Sequence, residues 1–176
     1  MQSMFRCLEG KMINLIKDQY QVSTLKPFLV FSPLLILFDQ LLKQVMLSFV
    51  FDPPRYVTIT SFLNLVPVWN PGMSFGFLSD GGSLVRFSLT ALAFGVSGWL
   101  VLISPRLSRI QRLSAALIAG GAIGNAIDRL RFGKVIDFID FHFGGWHWPA
   151  FNIADTAITI GAIIWAYSIV FEHEKN

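Results

Sequence analysis

The stretch "FNIADTAITIG", residues 151–161, opens the last long apolar run of the chain. It places Asn152 and Asp155 at the mouth of a segment otherwise composed for lipid. An Asn at an N-cap with an acid three residues on is an ordinary helix start, and the helix dipole favours the acid there. A second acidic cluster lies just upstream in "VIDFIDF", residues 135–141, where Asp137 and Asp140 stand between apolar neighbours. The sequence leaves two readings of Asp155 open: a cap, or one member of a reactive carboxylate pair.

Composition decides the solvent. Of 176 residues, 53% are hydrophobic and 14% charged, and mean hydropathy is +0.57. Soluble domains carry about 25% charge, so most of this chain belongs in a bilayer. Four runs approach the roughly 20 helical residues needed to cross a hydrocarbon core. They are residues 27–50, 84–104, 112–130 and 153–171. The third is rich in Gly and Ala and holds Asn125 and Asp128. Small residues let helices approach closely, which predicts a central place in the bundle.

Lys and Arg near span ends set orientation. Arg6, Lys11, Lys17 and Lys26 precede the first run, and Arg106, Arg109 and Arg112 lie between the second and third. Both regions are expected on the cytoplasmic side, with both termini there. Residues 51–83 and 131–152 then face outward, despite Arg131 and Lys134. The outer segments are β-branched and aromatic at 56–60 and 62–69, with a turn at Asn70-Pro71-Gly72 and a further strand expected from Val135 to Phe143. The expected fold is an all-α integral membrane protein: a four-transmembrane-helix bundle with a small β-sheet and a short helix at the outer surface. The expected division is a cytoplasmic extension at 1–26, one membrane-embedded domain at 27–171 and a tail at 172–176.

Ionisable groups at bilayer depth cost several kcal/mol unless paired or hydrated. Asp39 and Lys43, four apart, share a helix face and suit an internal ion pair or a substrate contact. Asn125, Asp128 and Arg129 share another face and suit a buried network, although Arg129 alone would read as a snorkelling anchor. The motif Gly95-Val96-Ser97-Gly98 matches the GxSG of intramembrane serine proteases, but no histidine lies in any span to act as base. It reads as helix packing. No HExxH zinc motif is present, and the single Cys7 excludes an internal disulfide. Two carboxylates sharing one proton, by contrast, can hydrolyse an amide without metal or covalent intermediate.

The blocks "FDQLLK" (38–43), "NPGMSFGF" (70–77), "GGAIGNAIDRLRFGKVIDFI" (120–139) and "FNIADTAITIG" (151–161) resemble, in order and spacing, lipoprotein signal peptidase (signal peptidase II). The resemblance implies a bacterial inner-membrane aspartic endopeptidase, its active site facing the periplasm. Such enzymes cut the signal peptide from prolipoproteins after a diacylglyceryl group is attached to the cysteine following the cut. The resemblance carries the catalytic roles to Asp137 and Asp155. It carries supporting roles to Asp39, Lys43, Asn70, Gly72, Asn125, Asp128, Arg129, Asn152 and Ala154. The expected partners are the lipidated precursor and membrane lipid, with no nucleic acid, metal or cofactor, and the expected state is a monomer. Met73-Ser74 replaces a pair of alanines common in the family, and the outer segment from Tyr56 to Phe77 is expected to close over substrate.

Overall fold

The computed structural model describes residues 2–72 and 82–172, with side chains from Ser23 to Phe171. Met73, Ser74, Phe75 and the short helix expected before the second span lie outside the described residues. Helix α1 spans Gln2–Phe49 and α2 spans Gly82–Ile103, followed by a 3-10 turn at Ser104–Arg106. Helix α3 spans Arg109–Phe132 and α4 spans Ile153–Glu172. Strands β1 (Val57–Thr60), β2 (Leu63–Asn70), β3 (Val135–Phe143) and β4 (Trp146–His147) form one antiparallel sheet in sequence order.

Among the described residues, three helices are long and apolar enough to cross a membrane, at Ser23–Phe49, Gly82–Arg106 and Ile153–Phe171. This is one fewer than the four spans expected. Helix α3 has 24 residues, about 36 Å at 1.5 Å per residue, yet its Gly, Asn, Asp and Arg content keeps it out of the apolar set. Leu102 and Leu84 are 79% and 72% exposed while Asp39, Lys43 and Asp128 are at most 1% exposed. Apolar side chains outside and charges inside are the reverse of a water-soluble domain, and they match a protein whose solvent is hydrocarbon.

The first apolar run lies inside a helix continuous from Gln2. Pro27 and Pro33 both stand within it. Neither ends the helix, although each ring removes one backbone donor. Packing on α3 holds the second region: Ser32 Oγ donates to Ala116 O at 2.7 Å.

The small residues of α3 place it between α1 and α4. A Cβ on Gly121 would collide with Ala154 O, one on Gly124 would lie 2.9 Å from Asp39 Oδ2, and one on Gly120 would lie 3.0 Å from Leu35 Cδ2. From α4, Gly161 meets Ser114 O and Ile118 in the same way. The α3 start is a capping box of Ser108 with Gln111, and it ends at Gly133, whose φ of 76° is left-handed. The GxSG stretch is helix packing through its serine alone. Ser97 Oγ donates to Ala119 O at 3.4 Å, but Gly95 and Gly98 face open space.

The sheet sits against the end of α1. Ile136 and Phe138 pack with Met46, Val50 and Phe51. Alternation along a strand then turns Asp137 to the opposite face. Pro67 interrupts β2 without ending it, because it falls in an irregularity of the β2–β3 register between Leu65 and Val68. Strand β4, absent from the sequence expectation, pairs His142 with His147 across the Gly144-Gly145 turn. Glycine is required there, since both residues have positive φ (59° and 85°).

Candidate active site

Backbone pairing delivers Asp137 and Asp155 to the same place. After β4 the chain returns along β3, with Phe151 N donating to Ile139 O at 3.1 Å and Phe151 O accepting from Ile139 N at 2.9 Å. The next residue, Asn152, starts α4. Its Oδ1 accepts from Asp155 N at 3.0 Å while its own N donates to Asp155 Oδ2 at 3.1 Å. This reciprocal cap is the helix-start reading of Asp155. It also leaves the Asn152 amide free to reach sideways. Asn152 Nδ2 donates to Asp137 Oδ1 at 2.6 Å and to Asn125 Oδ1 at 3.1 Å.

Each carboxylate has a second amide. Asn70 Nδ2 donates to Asp137 Oδ2 at 2.7 Å, and Asn125 Nδ2 donates to Asp155 Oδ1 at 2.7 Å. Asn70 is itself oriented by Gly72, whose N donates to Asn70 Oδ1 at 2.8 Å. Gly72 has φ of 100°, and a Cβ there would collide with Leu89 Cδ1, so the turn requires glycine twice over.

Below this layer lies an ionic one. Lys43 Nζ is 2.8 Å from both Asp39 Oδ2 and Asp128 Oδ2, and donates to Asn125 Oδ1 at 3.0 Å. The Asp39–Lys43 pair is thus a triad with Asp128, buried throughout. Each acid also grips the backbone near the catalytic candidates. Asp39 Oδ1 accepts from Ala154 N at 3.0 Å, and Asp128 Oδ2 accepts from Ile136 N at 3.2 Å. Ala154 is fully buried where α4 crosses α3, at Gly121 and Gly124. A larger side chain would push the helices apart.

Gln40 was missed by the sequence reading. Its Nε2 lies 2.8 Å from Asp128 Oδ1 and 3.2 Å from Gly124 O, and Arg131 Nη1 donates to its Oε1 at 3.2 Å. The available signal was a third polar residue in an apolar run, one position from Asp39. Arg129 departs from the expected trio. Asn125 and Asp128 enter the network, whereas Arg129 Nε has no hydrogen-bond partner. The Arg129 side chain instead lines a groove of about 310 Å³ with Leu92, Asn125, Asp155 and Ile158. A second groove of about 300 Å³, lined by Trp148, Phe151, Thr156 and Thr159, also reaches Asp155.

The two acids differ in environment. Asp137 is 0% exposed, and burial pushes its carboxyl up to about 6, with the negative charge of Asp155 adding to the rise and the amides of Asn70 and Asn152 opposing it. Asp155 is half-buried at a helix N-terminus. Asp140 stands apart. Its burial is outweighed by hydrogen bonds from Asn64 and His147, which hold it below the usual carboxylate range. Among the described residues, no group of three or more His, Cys, Asp or Glu side chains is arranged to hold a metal ion.

A family model described as signal peptidase (SPase) II matches residues 31–171. The chain belongs to the signal peptidase II family. Lipoprotein signal peptidases from Burkholderia vietnamiensis and Burkholderia multivorans are each 50% identical to it over 145 residues, covering 81% of this chain and 87% of theirs. A solved structure of a bacterial membrane enzyme superposes with a TM-score of 0.72 at 26% identity, covering 85% of this chain and 90% of that one. This peptidase is therefore a bacterial membrane protein that removes signal peptides from lipoproteins, by aspartic chemistry as its family does.

Proposed function

We propose that Asp137 and Asp155 are the catalytic pair, and that this peptidase acts on precursors whose cysteine already carries a diacylglyceryl group. The observation that carries the reading is Asn152, which donates to Asp137 through its side chain and to Asp155 through its backbone. One residue thereby ties a strand carboxylate to a helix-terminal one.

The different surroundings of the acids suggest their roles. Asp155, with two N–H donors at a helix N-terminus, is placed to act as the base. Asp137, buried, retains the shared proton. Asp155 takes a proton from water as its oxygen bonds to the scissile carbonyl carbon, and Asp137 gives its proton to the carbonyl oxygen. In the second step Asp155 passes its proton to the leaving nitrogen, the C–N bond breaks, and the diol returns a proton to Asp137. The products are a carboxylic acid and a free amine, and both aspartates end as they began.

The supporting residues have separable tasks in this reading. Asn70, Asn125 and Asn152 orient the acids, and Gly72 shapes the turn that aims Asn70. Lys43 with Asp39 and Asp128 fixes the backbone beneath them, and Ala154 permits the close crossing. Arg129 faces the groove, where it would meet substrate backbone.

Helix α3 would be a fourth span, lined on both sides by α1 and α4, so that its polar residues never meet lipid. Lys and Arg concentrated near Lys26 and Arg109 support a four-span reading with both termini in the cytoplasm and the sheet at the periplasmic surface. The working unit is a monomer without nucleic acid or cofactor. The test is cleavage of a diacylglyceryl-prolipoprotein by purified Asp137→Asn and Asp155→Asn proteins. Substantial activity in either would remove that residue from the pair.

A further inference from the structure

At the opposite end of the bundle from the carboxylates, α1 and the start of α3 border a half-open recess of about 600 Å³ lined, among the described residues, by Ser23, Lys26, Pro27, Arg109, Arg112 and Leu113. Among its described lining side chains three are cationic and none is acidic. The only ion pairs among the described residues involve Lys43 and His147, so none of these three cations is neutralised by a described acid. Arg112 Nε donates to Leu107 O at 3.0 Å, which fixes the root of its guanidinium and leaves the two terminal nitrogens to reach elsewhere.

The depth of the cavity is set by the helices around it. Arg106 is the last residue of one apolar span, and Arg109 and Arg112 follow it closely. The cavity therefore lies where hydrocarbon gives way to head groups. Arg109 is the first residue of α3, and Ser108 caps only Gln111 N. The amides of Arg109 and Ile110 have no intrahelical acceptor, and they add a helix-terminal partial positive charge. Pro27 and Leu113 supply an apolar wall beside the cations. A phosphate flanked by acyl-chain methylenes matches this lining, whereas a free phosphate would leave the apolar wall unused.

We infer that this cavity is a binding site for one anionic phospholipid of the cytoplasmic leaflet, its phosphate held by Lys26, Arg109 and Arg112. Polybasic attraction to anionic lipid is general, but three cations gathered around one recess with an apolar wall, between two helices, make this a discrete site. It lies apart from the catalytic candidates and is independent of their roles.

The test uses the full chain, delipidated in uncharged detergent and examined by native mass spectrometry. Phosphatidylglycerol and phosphatidylcholine of matched chains are titrated separately, with soluble glycerol phosphate as competitor. One phosphatidylglycerol should bind selectively, and glycerol phosphate should displace it poorly. Lys26→Gln/Arg109→Gln should weaken that binding by about 30-fold, whereas Arg55→Gln, beyond the other end of α1, should leave it unchanged. Retained prolipoprotein cleavage verifies that the double variant is folded. Equal binding of the two lipids by the unsubstituted protein would overturn the proposal even if the double variant failed to fold. So would equal weakening by Arg55→Gln, or displacement by glycerol phosphate as efficient as by lipid.

Discussion

Asn152 holds Asp137 at 2.6 Å through its side-chain amide, while the other end of the same side chain accepts the Asp155 backbone N–H at 3.0 Å. A helix cap is thus also the hinge pin between two carboxylates. The capping and catalytic readings of Asp155 do not compete, because the cap uses one carboxylate oxygen and the Asn125 amide the other.

The acid of the "VIDFID" cluster that matters is expected to be Asp137. Asp137→Asn and Asp155→Asn should each lower cleavage by about 10³-fold or more, in keeping with the weight of general acid–base catalysis. Asp140→Asn should keep most activity, because Asp140 bonds to Asn64 and His147 rather than to the Asn152 network. A dead Asp140→Asn with an active Asp137→Asn would reverse the assignment. The measurement is initial rate on a lipidated precursor, with circular dichroism to verify folding.

The pH dependence follows from Asp137, whose carboxyl is raised from 3.8 to about 6. Between those values the folded protein keeps a proton that the unfolded chain has lost, so this group makes stability fall as pH rises through the window. The proposed mechanism needs one proton on the pair, so kcat/KM should decline on the alkaline side with an apparent pKa near 6. Asn70→Ala removes a donor that stabilises the charged form and should move that limb upward. A limb that stays in place, or moves down, would contradict the arrangement.

Lys43 faces two buried carboxylates, each 2.8 Å away. Lys43→Met leaves Asp39 and Asp128 unpaired at the bundle centre. A loss of about 3–5 kcal/mol is expected, as when one partner of a buried ion pair is removed. Thermal unfolding in detergent reads the loss, and a fall of only a few tenths would show that the triad is not what holds α1 to α3.

At the α3–α4 crossing, Gly121→Ala should separate the helices, since its Cβ would strike Ala154 O. Overpacking of this kind costs about 1–3 kcal/mol. It should also lower kcat, because Asn125 sits one turn further along α3 and aims at Asp155. Gly98→Ala, which faces open space, is the matched control and should be silent in both stability and rate.

Lipid on the substrate should set its depth. Each methylene buried in the bilayer contributes about 0.8 kcal/mol, so two acyl chains fix the cysteine near the membrane surface. The unlipidated precursor should be cleaved far more slowly than the lipidated one in the same detergent. Trp69→Ala should raise KM, because Trp69 packs edge-on to Phe51 at 5.1 Å and against Phe132 at 5.7 Å. Equal rates for the two precursors would remove the lipid from the recognition.

Much of this protein was legible from local pattern. Long apolar runs give helices regardless of context, since in hydrocarbon every backbone N–H and C=O must be paired within its own segment. The strand at Val135–Phe143 and the small-residue helix at Arg109–Phe132 follow from residue type in the same way. So does the pairing of Asp39 with Lys43, because four residues make one helical turn. What the sequence did not determine is which groups from distant segments would meet. Asp128 completes the Lys43 triad from 85 residues away, Gln40 joins it, Arg129 turns out of it toward a groove, and His147, though exposed, reaches Asp140. Helical periodicity gives the direction of a side chain only relative to its own axis. The rotation and depth of each helix against the next are set by where Gly120, Gly121, Gly124 and Gly161 let backbones touch. That contact, not any single segment, brings Asp137 of a strand and Asp155 of a helix to the same asparagine.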